Sequence, residues 1–287
     1  NELTSMIRGG FTANNNGHIY YNGKYYVSWM WKAGGSKNTF NIDDVGYASA
    51  AAAGLDGGNI NPTGCSIGTQ QGFSILKYAG NQGTGQTLNH GLGEIPDFVI
   101  CKNLGTSYNW FIWHESFGNG ADAAIYFTNA AKSTGYNTQP FGTFTTSSLA
   151  FNNNDGVNGN YNYICYAWKN VPGLQKFGSY SGNSNADGSF VELGFRPALL
   201  WLKRTDSTGN WVILDTRRNP SNPVTISAYA DSNADANYDP GQDWADILSN
   251  GFKLRATYGE VNVGSYIYCA WAEAPTVDLY GGGANAR

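Results

Sequence analysis

GFSILKYAGN (residues 72–81), LGEIPDFVICKN (92–103) and NWFIWH (109–114) return in the same order as LQKFGSYSGN (174–183), LGFRPALLWLKR (193–204) and NWVILD (210–215). Pro96 and Pro197, Lys102 and Lys203, and Trp110 and Trp211 each stand 101 residues apart, while Trp168 of YICYAWK and Trp271 of YIYCAWA stand 103 apart. Self-similarity at a fixed period marks a structural unit used more than once. The spacing predicts two modules, 72–172 and 173–275, each closing on a Pro soon after its last Trp.

Within each module the runs read as strands. IPDFVICK and RPALLWLK carry a Pro near the start and are apolar nearly throughout, as strands covered on both faces are. NWFIWH and NWVILD follow a Gly-containing turn, which makes each pair a hairpin. In YICYAW and YIYCAW large aromatic residues alternate with Ala and Cys, so that two facing sheets can interdigitate. The chain of 287 residues holds 38 Gly, 19 Tyr and 9 Trp, a composition that disfavours long helices and suits short strands joined by tight turns. The expected fold class is all-β: tandem β-sandwich modules, jelly-roll or concanavalin A-like, with short helical turns only. DWADILSNG (243–251) is the best helix candidate, with Asp243 as N-cap and Gly251 just past the end.

YYVSWMWKAGG (25–35) matches the closing run of a module if Trp31 is set against Trp168. On that reading residues 1–34 are the end of a preceding, truncated repeat, and the chain is the C-terminal part of a longer polypeptide. Residues 35–71, rich in Gly, Ala and Asn, read as a linker or arm, and 276–287 as a C-terminal tail.

Lys plus Arg number 17 against 21 Asp plus Glu, a net charge of −4, so no basic surface is available for nucleic acid. Apolar runs of about half a dozen residues fall far short of the roughly 20 that span a bilayer as a helix, and no membrane insertion is expected. Cys65, Cys101, Cys165 and Cys269 form no CxxC pair, and three of them lie inside strand-like runs, which reads as core thiols. The stretch from Asp231 through Asn233, Asp235, Asn237 and Asp239 opens like a calcium loop, but Ala236 stands where that loop needs Gly and Gln242 where it needs Glu. No metal and no cofactor is expected.

The repeat also serves as an internal control, because positions filled alike in both modules serve the shared fold. A catalytic set would stand out as several polar residues in one module. His114 faces Asp215 and Glu94 faces Phe195, His90 and His114 read as turn or edge hydrogen-bonders, and the acids Asp155, Glu192, Asp215 and Glu260 stand isolated. No enzyme is expected. The recurring Trp31, Trp110, Trp168, Trp211 and Trp271 read as core or hairpin packing. Tyr108, Tyr136, Phe141, Tyr238, Trp244 and Tyr258 do not recur and lie in polar, Gly/Asn-rich segments. These six are the candidate glycan-binding residues, since aromatic faces stack on sugar rings while nearby Asn and Asp bond the hydroxyls. The alternative is burial against a neighbouring subunit.

GFSILKYAGN with HGLGEIPDFVICKN, the link KFGSYSGNSNADGSFVELGFRPALLWLKRTDSTGNW, NGFKLR, YIYCAWAEAP and the terminal ANAR resemble repeat modules in large structural proteins of tailed bacteriophages, many of them from aquatic phages. Those proteins are tail-fibre or baseplate-associated. The likeness runs from YVSWMWKAGG to the C-terminus, and the DSNADANYDPGQDW stretch is longer than the pattern. The resemblance implies a lectin-like sandwich, a location in the virion tail, a homotrimer, and other tail or baseplate proteins as partners. It supplies no catalytic residues. The role it implies is presentation of the modules to a host cell-surface glycan. The alternatives are an assembly protein that plugs or decorates the baseplate without a host ligand, and a polysaccharide depolymerase.

Overall fold

The computed structural model describes residues 3–7, 10–14, 23, 26–232, 237–238 and 242–273. The chain divides into two compact units, Asn1–Trp31 and Lys32–Arg287. In the first, Leu3–Ile7 and Gly10–Ala13 pair as an antiparallel hairpin. In the second, the regular structure among the described residues is strand, apart from a 3-10 turn at Glu115–Phe117, and the protein is all-β.

Two sandwiches make up the second unit. The large sheet of the first runs, edge to edge, through Ser133–Thr134, Ala123–Tyr126, Phe111–His114, Phe98–Asn103, Asn162–Trp168, Phe73–Ala79, Pro62–Gly68, Phe40–Ile42 and Val45–Tyr47. The large sheet of the second runs through Asn237–Tyr238, Ile226–Tyr229, Trp211–Asp215, Pro197–Arg204, Ser265–Ala272 and Gln175–Ser181. From the outer hairpin as far as Phe73–Ala79 and Gln175–Ser181 the two orders are the same. In each sandwich the last strand of the module inserts between the first strand and the Pro-led strand. A smaller sheet closes each sandwich: Gln86–Asn89 with Ser148–Phe151 in the first, and Phe190–Glu192, Gly251–Leu254 and Ala245–Leu248 in the second.

Strand alternation decides which side chains enter each core. Tyr163, Cys165 and Ala167 point into the first core with Tyr78, Leu88 and Phe151, and Tyr268 and Ala270 enter the second with Leu202 and Phe252. YICYAW and YIYCAW differ by exchanging Cys and Tyr, so Cys165 fills the first core where Tyr268 fills the second. All four cysteines are buried and free, and Cys101 and Cys165 are cross-strand partners with their sulfurs 3.0 Å apart.

The polar interior repeats as well. Tyr78 and Tyr180 donate from their hydroxyls to the carbonyls of Val157 and Val261, at 2.6 and 2.7 Å. Gly159 and Val263 donate from their backbone to the hydroxyls of Tyr163 and Tyr266, at 2.7 and 2.8 Å. The fully buried amides of Asn158 and Asn262 hold the turn after the first strand. Asn158 Nδ2 donates to the Gly83 carbonyl at 2.8 Å, and Asn262 Nδ2 to the Asn185 carbonyl at 2.8 Å. Their Oδ1 atoms accept from the backbone of Asn81 and Asn183.

The chain crosses from one sandwich to the next in the turn at Pro172 and Gly173, where Gly173 takes φ 74°, a conformation that glycine adopts without a Cβ penalty. The sheet faces turned away from the cores then meet through aromatic rings. Phe98 stacks on Phe177 at 5.5 Å, Trp168 meets its repeat partner Trp271 edge-on at 6.4 Å, and Phe127 packs on Trp211 at 5.2 Å. Trp211 Nε1 donates to the Tyr126 carbonyl at 2.7 Å, and the backbone of Lys132 and Gly209 bonds across the junction to Thr205 and Asn129. Lys203 is enclosed there and donates from Nζ to the Gly209 carbonyl; burial pulls its pKa down to about 8.

Four expectations are corrected. Residues 35–71 are not a free linker: Pro62–Gly68 pairs antiparallel with Phe73–Ala79, and Phe40–Ile42 lies parallel on it, because the first strand of this sandwich would otherwise be a bare edge. Residues 26–35 form no strand, so the expected closing run of a preceding repeat is not built; Gly34 instead donates to Ser66 Oγ at 3.0 Å. DWADILSNG is no helix. Ala245–Leu248 turns at Ser249 and Asn250 into Gly251–Leu254, with Ala245 and Ile247 in the core; two turns of helix cannot offset their own nucleation, and period-2 burial wins. Trp110 is 37% exposed whereas its partner Trp211 is 0% exposed: Phe127 meets both rings edge-on, but only Trp211 lies within the junction, against Trp201 and with its Nε1 on the Tyr126 carbonyl. The expected tail at 276–287 lies outside the described residues.

If the buried amides are duplicated scaffold, Asn158→Ala and Asn262→Ala each cost about 3 kcal/mol, the scale for orphaning several buried hydrogen bonds. Urea unfolding monitored by tryptophan fluorescence reads the losses as lowered midpoints; a loss at one position only would contradict the duplication.

Candidate functional site

Three loops converge at one end of the first sandwich. The hairpin loop between Phe98–Asn103 and Phe111–His114 brings Tyr108, the loop after Ser133–Thr134 brings Tyr136, Asn137 and Thr138, and the loop after Ser148–Phe151 brings Asn153, Asn154 and Asp155. They enclose an open cleft of about 560 Å³ with Phe111 at its base. That volume lies within the range of small-ligand sites.

Buried side chains hold these loops in register. Asn103 Oδ1 accepts from the backbone of Gly105 at 2.8 Å while its Nδ2 donates to the Asp155 carbonyl at 2.7 Å, joining the first loop to the third. Tyr163 donates to the same Asp155 carbonyl at 2.8 Å. Asn154 Nδ2 donates to the Thr138 carbonyl at 3.1 Å, joining the third loop to the second. Gly156 has no alternative: a Cβ there would stand 2.1 Å from the Phe111 ring. The Asp155 backbone is thus fixed twice, and its carboxylate accepts from the Tyr108 hydroxyl at 3.1 Å, which raises the tyrosine's pKa. Lys102 donates to the Tyr108 carbonyl and fixes the loop from the other side. Tyr136 shares its hydroxyl with that of Tyr126, and burial raises its pKa.

Of the six sequence candidates, the structure brings Tyr108 and Tyr136 together at the cleft. Tyr108 is 40% exposed. Phe141 and Trp244, 1% and 4% exposed, belong to the first and second cores, and Tyr258 packs edge-on against Trp244 at 5.3 Å. Phe141 and Trp244 therefore present no face to a ligand. The backbone of Tyr238 pairs with Ile226, and its side chain lies outside the described residues, as does much of the loop that opens like a calcium site. Among the described residues no three His, Cys, Asp or Glu side chains are grouped to hold a metal.

Sequence reasoning missed Asp155 and the amides beside it. The second sandwich supplies the contrast that identifies them. Tyr266 donates to the Gly259 carbonyl at 2.6 Å as Tyr163 does to that of Asp155, and Lys203 donates to the Gly209 carbonyl as Lys102 does to that of Tyr108. The anchors are kept, but the second sandwich has Gly259 and Gly209 where the first has Asp155 and Tyr108.

His90 and His114 act within turns. His90 accepts from the Leu92 backbone at 3.1 Å and bonds the Thr145 carbonyl. His114, fully buried at the junction, bonds the Ser116 hydroxyl at 2.9 Å and the Tyr268 carbonyl at 3.3 Å. Burial holds its pKa down at about 4.

Fold and site together define a tandem β-sandwich protein whose first module carries an open cleft of aromatic, amide and carboxylate groups. Residues 1–275 match the family described as a domain of unknown function, DUF7483, and the chain belongs to that family. No curated protein and no solved structure matches it.

A histidine whose pKa is lower folded than unfolded takes up its proton more readily in the unfolded chain, so its contribution is complete above about pH 6.5 and is lost as pH falls toward 4. The full loss is about 3 kcal/mol. Asp97 and Glu115, raised by burial, act with the opposite sign. Comparing wild type with His114→Gln isolates the histidine: the difference in thermal stability between the two narrows as pH drops from 7 to 4. A gap that stays constant would contradict the burial.

Proposed function

We propose that this chain is a structural protein of a phage virion, part of a tail fibre or baseplate, that binds a host cell-surface glycan in the Tyr108–Asp155 cleft. One observation carries the binding half: the duplicated scaffold keeps its anchors in both sandwiches, but at the anchored positions the first carries the exposed Tyr108 and the Asp155 carboxylate where the second carries Gly209 and Gly259. Aromatic faces stack against the apolar face of a sugar, and carboxylate and amide oxygens accept from its hydroxyls. The resemblance of the repeat motifs to phage tail proteins supports the virion setting. Several copies in a homotrimer would convert a shallow, weak site into useful avidity by raising effective concentration.

The reading is non-enzymatic. Glycoside hydrolysis by two carboxylates needs the pair about 5 to 10 Å apart, and the cleft lining holds one, Asp155. A second reading, assembly against a neighbouring tail protein with no host ligand, is favoured by the exposed Leu104, Trp110 and Tyr161 near the cleft.

Probing the full chain on an array of bacterial surface polysaccharides, and in host-cell pull-downs, separates the two. Tyr108→Ala and Asp155→Asn are expected to lower glycan binding about tenfold, which corresponds to about 1.4 kcal/mol, with the melting temperature little changed. Failure of the wild type to bind glycans or cells, beside binding to purified baseplates, would replace the receptor reading with the assembly one.

A further inference from the structure

The junction of the two sandwiches holds a second cavity, of about 480 Å³ and more enclosed than the first cleft. The first sandwich contributes Ser116 and Phe117 of the 3-10 turn, together with Lys132. The second contributes the ends of Gln175–Ser181 and Ser265–Ala272, and Thr205 and Asp206 just after Pro197–Arg204. Register places Ser181 directly opposite Ser265, with Ser179 two residues along on the same face. All three serines are exposed, and among the described residues their hydroxyls have no hydrogen-bond partner. Cross-strand neighbours of this kind stand about 5 Å apart at Cβ, a spacing that suits a row of sugar hydroxyls.

The charges around the cavity leave one cation over. Asp206, the carboxylate in the lining, is held by Arg204 Nε at 2.7 Å and accepts from the Ser265 backbone at 3.1 Å. Among the described residues no carboxylate stands within ion-pair distance of Lys132; its Nζ stands 5.3 Å over the Phe117 ring, and its backbone is fixed by the bond to Thr205. The side chain is half-buried, so its charge acts in a medium less screened than open water.

We infer that this cavity is a second binding site, for an anionic saccharide, in which Lys132 receives the acid group and Ser179, Ser181 and Ser265 receive the hydroxyls. The acid is a carboxylate, as in a uronic acid, or a sugar-linked phosphate. The site is separate from the Tyr108–Asp155 cleft and stands without it. Because the cation comes from one sandwich and the hydroxyls from the other, the ligand holds the junction closed.

Calorimetric titration of the full chain with tetragalacturonate, its carboxyl-reduced counterpart and glucose 6-phosphate tests the assignment. At least one anionic probe is expected to bind while the reduced saccharide binds tenfold more weakly or not at all; which anion binds assigns the acid as carboxylate or phosphate. Lys132→Ala is expected to cost about tenfold in affinity, the scale of one charge-assisted hydrogen bond, and Lys132→Arg to restore most of it. Tyr108→Ala should leave this titration unchanged, which separates failure here from failure of the first cleft. Equal binding of the reduced saccharide, no binding of either anion, or a Lys132→Ala titration matching wild type would overturn the inference.

Discussion

A tyrosine hydroxyl sealed inside a sandwich must find a partner there, because leaving a buried polar group unpaired costs several times what an average hydrogen bond contributes. For four core tyrosines of this protein that partner is a backbone carbonyl of the loop that precedes the closing strand. Tyr78 and Tyr163 hold that loop in the first sandwich, and Tyr180 and Tyr266 hold it in the second. The requirement fixes the loop without using its outward side chains, which are left free to differ. Where the first sandwich carries Asp155, the second carries Gly259.

The same separation runs through the junction. The faces that meet are built from the aromatic residues of both repeats, yet they are covered unequally: Trp211 lies beneath Phe127, and Trp110 stands at the surface with Lys102 Nζ 5.9 Å from its ring. Duplication supplied two equivalent surfaces, and docking hid part of one. What remains exposed on the first sandwich lies near the cleft, and the polar rim of the docked surfaces encloses the second cavity. Both proposed sites therefore follow from one arrangement of rigid sheets carrying variable loops.

Much of this architecture was legible in the amino-acid sequence. The apolar Pro-led runs, the alternating closing runs and their repeat spacing are strong strand signals, and they became strands with the same neighbours in both sandwiches. Residues 35–71 were opaque because their strands are short and make sense only against Phe73–Ala79, a long-range pairing that composition does not report. DWADILSNG carries good helix-capping residues, and tertiary burial of Ala245 and Ile247 overrode them. Trp110 and Trp211 are indistinguishable in sequence because the burial of one and not the other is decided by how the two sandwiches dock. Asp155 looked isolated for a related reason: Tyr108 and Asn103 approach it only after the hairpin has formed.

The central claim is that one scaffold is used twice and specialised once. The most direct measurement pairs Tyr163→Phe with Tyr266→Phe and follows both unfolding free energy and glycan binding. Each substitution deletes one buried hydroxyl and should destabilise by a similar amount, about 1 to 2 kcal/mol. Only Tyr163→Phe should weaken the glycan, because only it releases the backbone of Asp155. Unequal destabilisation, or a binding loss shared by both variants, would contradict the account.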